Sequence, residues 1–232
     1  MKILAIDSSG AVASAAVLEN GIVIGEYSIN NKLTHSQKLM PMINQLLKSL
    51  DLIPNDIDVF GCAIGPGSFT GLRIGISMVK GMAQALDKPV IGLPTLDGLA
   101  YNLAGFSGYI CPLIDARNDN VYTSIYLSEP SNPDFIRQSE FMAVHIKELI
   151  EILPKDKTIA FVGDAALKFE SLLKEDLGSL CFIPAFHLLL QKASSIGYAC
   201  HQLASKGSFN SAYSLTPLYL RASQAERMHS KN

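Results

Sequence analysis

Gly65-Pro66-Gly67-Ser68-Phe69-Thr70-Gly71-Leu72-Arg73-Ile74-Gly75 is the stretch on which the reading of this chain turns. Just before it, residues 58–64 (Asp-Val-Phe-Gly-Cys-Ala-Ile) make a short apolar run that predicts a buried strand. After it, residues 72–86 predict a helix of about four turns. Strand, glycine-rich turn and helix N-terminus form a layout suited to an anion, because the first helical N–H groups have no partner within the helix. The two common nucleotide fingerprints fail nonetheless. A dinucleotide loop needs G-x-G-x-x-G, but the third position is Thr70 and Gly71 comes one residue late. A P-loop needs Gly-Lys-Ser/Thr, but Gly71 precedes Leu72 and Arg73. What the glycines still provide is positive φ and room for another backbone to come close.

The helix that follows has two apolar stripes. Leu72, Ile76, Val79, Ala83 and Leu86 recur at helical spacing and can cover a sheet. Gly71, Gly75, Met78, Met82 and Ala85 form a second stripe of small residues and adaptable methionines. Such a stripe either packs inside the domain or docks another subunit, and spacing alone leaves both open. Ser68 and Thr70 suit the capping of this helix, since no histidine base stands near them in sequence.

Working outward, residues 2–6, 13–18 and 22–29 are β runs, and Asn20-Gly21 predicts a hairpin turn between the last two. Thr34 with Gln37 reads as a capping box for a helix whose core face holds Met40, Ile43, Leu47 and Leu50. Pro41 within it predicts a kink or the start of its regular part. A strand at 89–93 and a helix from Thr95 complete the first half. The order restarts near Gly108. Strands are expected at 109–114, 121–127 and 135–143, with a polar loop at 128–134. Then come a helix at 146–153, a strand at 158–162, a helix after Gly163-Asp164, a strand at 180–183 and a long helix at 188–206. Both halves thus read β-β-β-α-β-α-β-α, which predicts a duplicated α/β architecture with lobes at 1–107 and 108–232. The last helix and the tail are placed either in the second lobe or packed back on the first.

Composition excludes several function classes. The chain has 232 residues, 48% hydrophobic and 17% charged, with a net charge of −2. No basic cluster argues for nucleic-acid binding by this chain alone. Cys62, Cys111, Cys181 and Cys200 show no C-x-x-C spacing, so neither a zinc knuckle nor a redox pair is signalled. No run of 18 apolar residues exists, and the first apolar run meets Asp7 too soon for a signal peptide. A cytoplasmic protein with reduced cysteines and no membrane partner is expected.

A β-hairpin whose first strand ends in Asp, present in two halves, resembles the actin, Hsp70 and sugar-kinase (ASKHA) superfamily, which shares a ribonuclease H-like fold. There, each hairpin turn holds nucleotide phosphates and the two aspartates manage a metal. Ile3 to Asp7 with Ser8, Ser9 and Gly10 looks like that motif. Asp115-Ala116-Arg117-Asn118-Asp119 lacks its glycine, and Gly163-Asp164 stands where a Gly-Gly would be. A carboxylate there opposes phosphate, which disfavours an ATPase.

Six segments together resemble the bacterial TsaB (YeaZ) family. They are Ile6-Asp7-Ser8-Ser9, Thr34-His35-Ser36-Gln37 with Pro41, the stretch 65–75, Ile114 to Arg117 with Val121-Tyr122, Pro217 to Arg221, and Gln224-Ala225-Glu226. The resemblance spans nearly the whole chain. It implies a non-catalytic subunit of the machinery that places threonylcarbamoyl on adenosine 37 of tRNAs reading codons that begin with A. It further implies a homodimer that docks on the catalytic paralogue TsaD, with the ATPase TsaE joining and tRNA met only through the complex. The helix after the glycine-rich loop is the family's docking helix, so the resemblance favours an interface of Gly71, Leu72, Gly75, Met78, Met82 and Ala85.

The paralogue carries a metal-binding His-x-x-x-His where this chain has Pro94-Thr95-Leu96-Asp97-Gly98-Leu99-Ala100. Two histidines at i and i+4 share a helix face and one metal. Here His35, His145, His187, His201 and His229 are scattered, so no metal site and no catalytic residue are expected. No cofactor of its own is expected either. ATP or ADP with magnesium is placed at the junction of the assembled complex, with Asp7, Ser8, Ser9, Arg73 and Asp115 as candidate contacts. For Asp7 the competing reading, which we favour, is hydrogen bonding to the backbone N–H groups of its own hairpin. Arg73, a cation in a helix's first turn where the dipole disfavours it, either reaches solvent on its stem or, the reading we favour, meets a carboxylate or phosphate at the junction. Arg117 either faces solvent or belongs to an ion-paired loop. An actin-like small-molecule kinase needs an intact second phosphate loop, and a metallopeptidase needs clustered ligands; both alternatives are disfavoured.

Overall fold

The computed structural model describes residues 1–31 and 35–221. Asn20 and Gly21 both take positive φ, 50° and 82°, the turn whose twist matches that of two antiparallel strands. It joins β2 (Ala13–Glu19) to β3 (Ile22–Ile29), and β1 (Lys2–Asp7) pairs antiparallel to β2. Two parallel strands, β4 (Val59–Gly65) and β5 (Val90–Pro94), extend the sheet to the order β3-β2-β1-β4-β5. The central strands are near-continuous apolar runs because both faces are covered. On one face Leu4, Ile6 and Phe60 pack with Ile43 of α1 (His35–Ser49) and with Leu72, Ile76 and Val79 of α2 (Phe69–Leu86). On the other, Ile3, Ala5 and Ile91 pack with Ile196, Ala199 and Cys200.

The chain forms two compact units, Met1–Asn102 with Leu190–Pro217, and Leu103–Leu189 with the segment that starts at Leu218. The boundary falls five residues before the expected 107/108, and the helix carrying Ile196 counts with the first unit. That helix covers the second face of the first sheet, which α3 (Thr95–Tyr101) is too short to cover alone.

The second unit departs from the expected β-β-β-α-β-α-β-α. It holds β6 (Gly108–Asp115), β7 (Asn120–Thr123), β8 (Tyr126–Glu129), β9 (Asn132–Arg137), β10 (Met142–His145), α4 (Ile146–Ile152), β11 (Ile159–Val162), α5 (Asp164–Lys168), α6 (Glu170–Leu177) and β12 (Cys181–Phe182). The run 121–127 is two strands: β7 pairs the end of β6 and β8 its beginning. The expected loop at 128–134 is mostly the β8–β9 hairpin, and the expected strand 135–143 is divided between β9 and β10. The helix after Gly163-Asp164 is likewise two short ones, α5 and α6. The long helix at 188–206 shrinks to α7 (Ala193–Ser205). In the first unit the order matches, and Pro41 falls within α1. Thr34 and Gln224-Ala225-Glu226 lie outside the described residues.

Candidate functional site

The turn between β1 and β2, residues 7–10, meets the N-terminus of α2, and the two are bonded together. Ser68 N donates to the Ser9 carbonyl oxygen at 2.7 Å. Ser8 Oγ donates to the Gly71 carbonyl at 2.8 Å. Ser68 caps α2 by accepting from Gly71 N at 3.2 Å. A Cβ on Gly71 would overlap the Ser8 carbonyl oxygen, and one on Gly75 would overlap Ser8 Oγ. These two glycines are what the close approach of helix and hairpin requires.

Asp7 lies at the bottom of this contact, 2% exposed. Its Oδ1 accepts from Ser9 N at 2.8 Å and from Ser9 Oγ at 2.6 Å, the bonding within the hairpin that the sequence favoured. Burial pushes its carboxyl up to about 6, against the Ser9 bonds and the nearby His35, which favour the ionised form. His35 Nε2 donates to the Gly10 carbonyl at 2.9 Å, tying α1 to the same turn. The Gln191 side chain lies against Gly10. Asp7, Ser8 and Ser9 are therefore buried under the chain's own groups, while Gly10 is partly open and Ala11 exposed.

Of the residues assigned to the docking face, Gly71, Leu72 and Gly75 are buried and face inward. Three of the six residues expected at the interface are thus packed against the chain's own hairpin. The hairpin covers the first turns of the second stripe, and only Met78, Met82 and Ala85 lie past its edge, the first two half-buried and Ala85 exposed. Gly75→Arg thus drives a side chain into Ser8, at a position that the resemblance had placed on a docking face. What α2 offers outward is an open groove of about 480 Å³ lined by Ser36, Phe69, Thr70, Arg73, Ile74, Ser77 and Met78. Arg73 stacks its guanidinium over the Phe69 ring, 4.6 Å from the centroid. Because α2 begins at Phe69, Arg73 sits past the first turn, where the dipole penalty has faded. Gly81 is exposed, and apart from its chain neighbours and the adjacent helix backbone no atom of the described residues lies within 4 Å of the place its Cβ would take. Sequence reasoning missed Ser36, Phe69, Ser77 and Gly81. The spacing of Thr70, Ile74, Ser77 and Gly81 at i, i+4, i+7 and i+11 was the available signal.

The corresponding turn of the second unit, between β6 and β7, is built from charge. Lys168 Nζ lies 3.3 Å from Asp115 Oδ1 and 3.5 Å from Asp119 Oδ1. Asp115 N donates to Asp164 Oδ1 at 3.1 Å, and burial raises the Asp164 carboxyl above its ordinary value. Among the described residues no three His, Cys, Asp or Glu side chains gather as a metal site would need.

Two sheets of this order, each opened by a hairpin from its first strand, define a duplicated actin-like α/β protein. Solved structures bear on the fold. YeaZ from Pseudomonas aeruginosa superposes with a TM-score of 0.80 at 24% identity, over 94% of this chain and 99% of that one. The ethanolamine utilization protein EutJ from Carboxydothermus hydrogenoformans gives 0.53 at 11% identity, over 85% and 89%. The family model of TsaD, the tRNA N6-adenosine threonylcarbamoyltransferase, matches residues 23–228. The tRNA threonylcarbamoyladenosine biosynthesis protein TsaB of Bacillus subtilis is 34% identical over 97% of this chain and 96% of its own. TsaB of Haemophilus influenzae is 29% identical over 95% and 94%. The chain belongs to the TsaB (YeaZ) family, within the wider group that the TsaD model describes.

Proposed function

We propose that this chain serves tRNA threonylcarbamoyladenosine biosynthesis as a subunit without catalysis of its own, which docks on and activates the catalytic paralogue TsaD. The observation that carries this reading is the division of α2. Its inner face fills the β1–β2 turn, where nucleotide phosphates lie in actin-like ATPases. Its outer face is left as an open groove beside an uncovered glycine. A glycine inside a helix costs about 1 kcal/mol against alanine. At Gly81 nothing in the described residues makes use of that cost, whereas a partner helix crossing there would. The reading extends to homodimerisation through the same groove and its exchange for TsaD, with TsaE and tRNA joining the assembled complex. A nucleotide with magnesium belongs at the junction of that complex, near Arg73.

The test is a reconstituted modification assay with TsaD, TsaE, ATP, the threonylcarbamoyl donor and a tRNA reading an A-starting codon. Modified adenosine forming only when this chain is added is the expected result. Modification proceeding equally well without it, or ATP turnover by this chain alone, overturns the reading.

A further inference from the structure

Charge is spread unevenly along the chain. Of its 21 acidic residues none lies between Glu26 and Asp51 or between Asp58 and Asp87, the two stretches that build α1 and α2. These helices pack side by side on one face of the first sheet, and what they turn outward is neutral except for cations. Lys48 and Arg73 are exposed, Lys38 and Lys80 half-buried. Lys80 is drawn to one flank of α2, where its Nζ donates to the carbonyls of Tyr213 and Leu215 at 3.4 and 3.3 Å. Arg73 stays in the groove itself, over the Phe69 ring. The carboxylates that follow the two helices, Asp51 and Asp87, stand past their C-terminal ends. At 1.5 Å per residue Asp87 is about 13 Å beyond Met78, the last groove residue of α2. Asp7, under the first turns, is buried and bonded to Ser9. Exposed helix faces of soluble proteins ordinarily mix both signs. This one carries a single sign in a chain whose net charge is −2.

We propose that the outer face of α1 and α2 is matched to an acidic surface on the protein subunit it docks, so that charge drives the exchange of self-pairing for TsaD. The assignment rests on the docking reading above. In a two-fold pair the same patch faces itself, which brings the two cationic faces together and opposes the contact. A partner that carries carboxylates to the same groove turns that repulsion into attraction. It also offers the Arg73 guanidinium a bidentate match and is steered to the face while copies of the chain repel one another. RNA fits less well, because a single strand is tracked by a row of cations with stacking aromatics. Here Ile74, Met78 and the bare Gly81 suit a packed helix instead.

The experiment measures both contacts of the full chain at about 50 mM and about 500 mM KCl. Self-association is read by sedimentation equilibrium, and the association rate with TsaD by stopped flow. From low to high salt the TsaD rate is expected to fall about tenfold, while the self-association constant rises about threefold. Arg73→Gln and Lys48→Gln, each confirmed as folded by its melting transition, separate charge from shape. At low salt each is expected to tighten self-association and slow TsaD binding, by about threefold for Arg73→Gln and by less for Lys48→Gln. A side chain that merely fills an interface would weaken both contacts when it is shortened. Both contacts weaker in Arg73→Gln with neither moved in Lys48→Gln, or a TsaD rate indifferent to salt, overturns the acidic partner and leaves the docking reading standing. Wild type that fails to bind TsaD at either salt overturns the docking reading and this assignment with it. Binding of tRNA by the chain alone that Arg73→Gln abolishes and TsaD displaces gives the face to phosphate and overturns the carboxylate surface.

Discussion

The β1–β2 and β6–β7 turns occupy the same place in their units and have been finished in opposite ways. The first is buried, carries one carboxylate, and is closed by glycines that let α2 lie against it. The second is exposed, with the charged side chains of Asp115, Arg117, Asp119, Asp164, Lys168 and Arg221 on or against it, and is held by Lys168, Asn120 and Arg221. A hairpin turn is shaped less by its own residues than by what its neighbours can bring against it. Serine next to a glycine helix gives a dry contact, whereas aspartate next to lysine gives a wet one. Energetically the first is a packing site and the second a network of exposed pairs, so substitutions in the two must differ in size.

The largest effect belongs to the dry turn. Gly71→Leu puts a side chain into the Ser8 carbonyl, and the expected loss is about 3 kcal/mol of unfolding free energy, read from urea midpoints. A loss under about 0.5 kcal/mol would mean the contact is loose. Asp7→Asn comes next and has the opposite sign. The folded carboxyl lies at about 6, above its ordinary value of 3.8, so the fold is favoured by protonation. Stability from this group is full below about 4, falls as pH rises through 6, and stays low above it. Asparagine keeps an acceptor for Ser9 without the buried charge. The variant is expected to be more stable by about 2 kcal/mol at pH 7.5 and no more stable at pH 4, with a flatter pH profile between.

On the outer face of α2, Ser77→Arg is expected to leave the unfolding midpoint within about 0.5 kcal/mol of wild type. It should weaken association with TsaD at least tenfold, since it closes the groove beside Met78. The smallest effect belongs to the wet turn. Lys168→Met removes both of the lysine's ion pairs, yet its side chain is 41% exposed, and the expected cost is below about 1 kcal/mol and vanishes in high salt. A larger cost for Lys168→Met than for Gly71→Leu would invert the comparison.

How far each turn was legible in sequence follows the same division. The meander could be read because Asn20-Gly21 dictates its own turn, and the role of Asp7 because an Asp before a polar turn bonds to the backbone beyond it. The inward orientation of Gly71 and Gly75 could not, because their stripe is continuous with Met78 and Met82. Only the distant hairpin, some sixty residues earlier, decides which part is covered. The break of 121–127 into β7 and β8 was hidden because Thr123-Ser124-Ile125 carries no glycine or proline where the chain changes partner strand. The left-handed run at 117–119 left only a partial signal, since Asn118 and Asp119 are residue types that tolerate such φ whereas Arg117 is not.

On the proposed reading α2 is split between an inner face that fills the first turn and an outer face that docks. Light scattering on size-exclusion fractions of the chain mixed with TsaD, for wild type and Ser77→Arg, tests it most directly. A mixed complex with wild type and separate species with an intact, folded Ser77→Arg are the expected result. A Ser77→Arg chain that assembles as wild type does would contradict it.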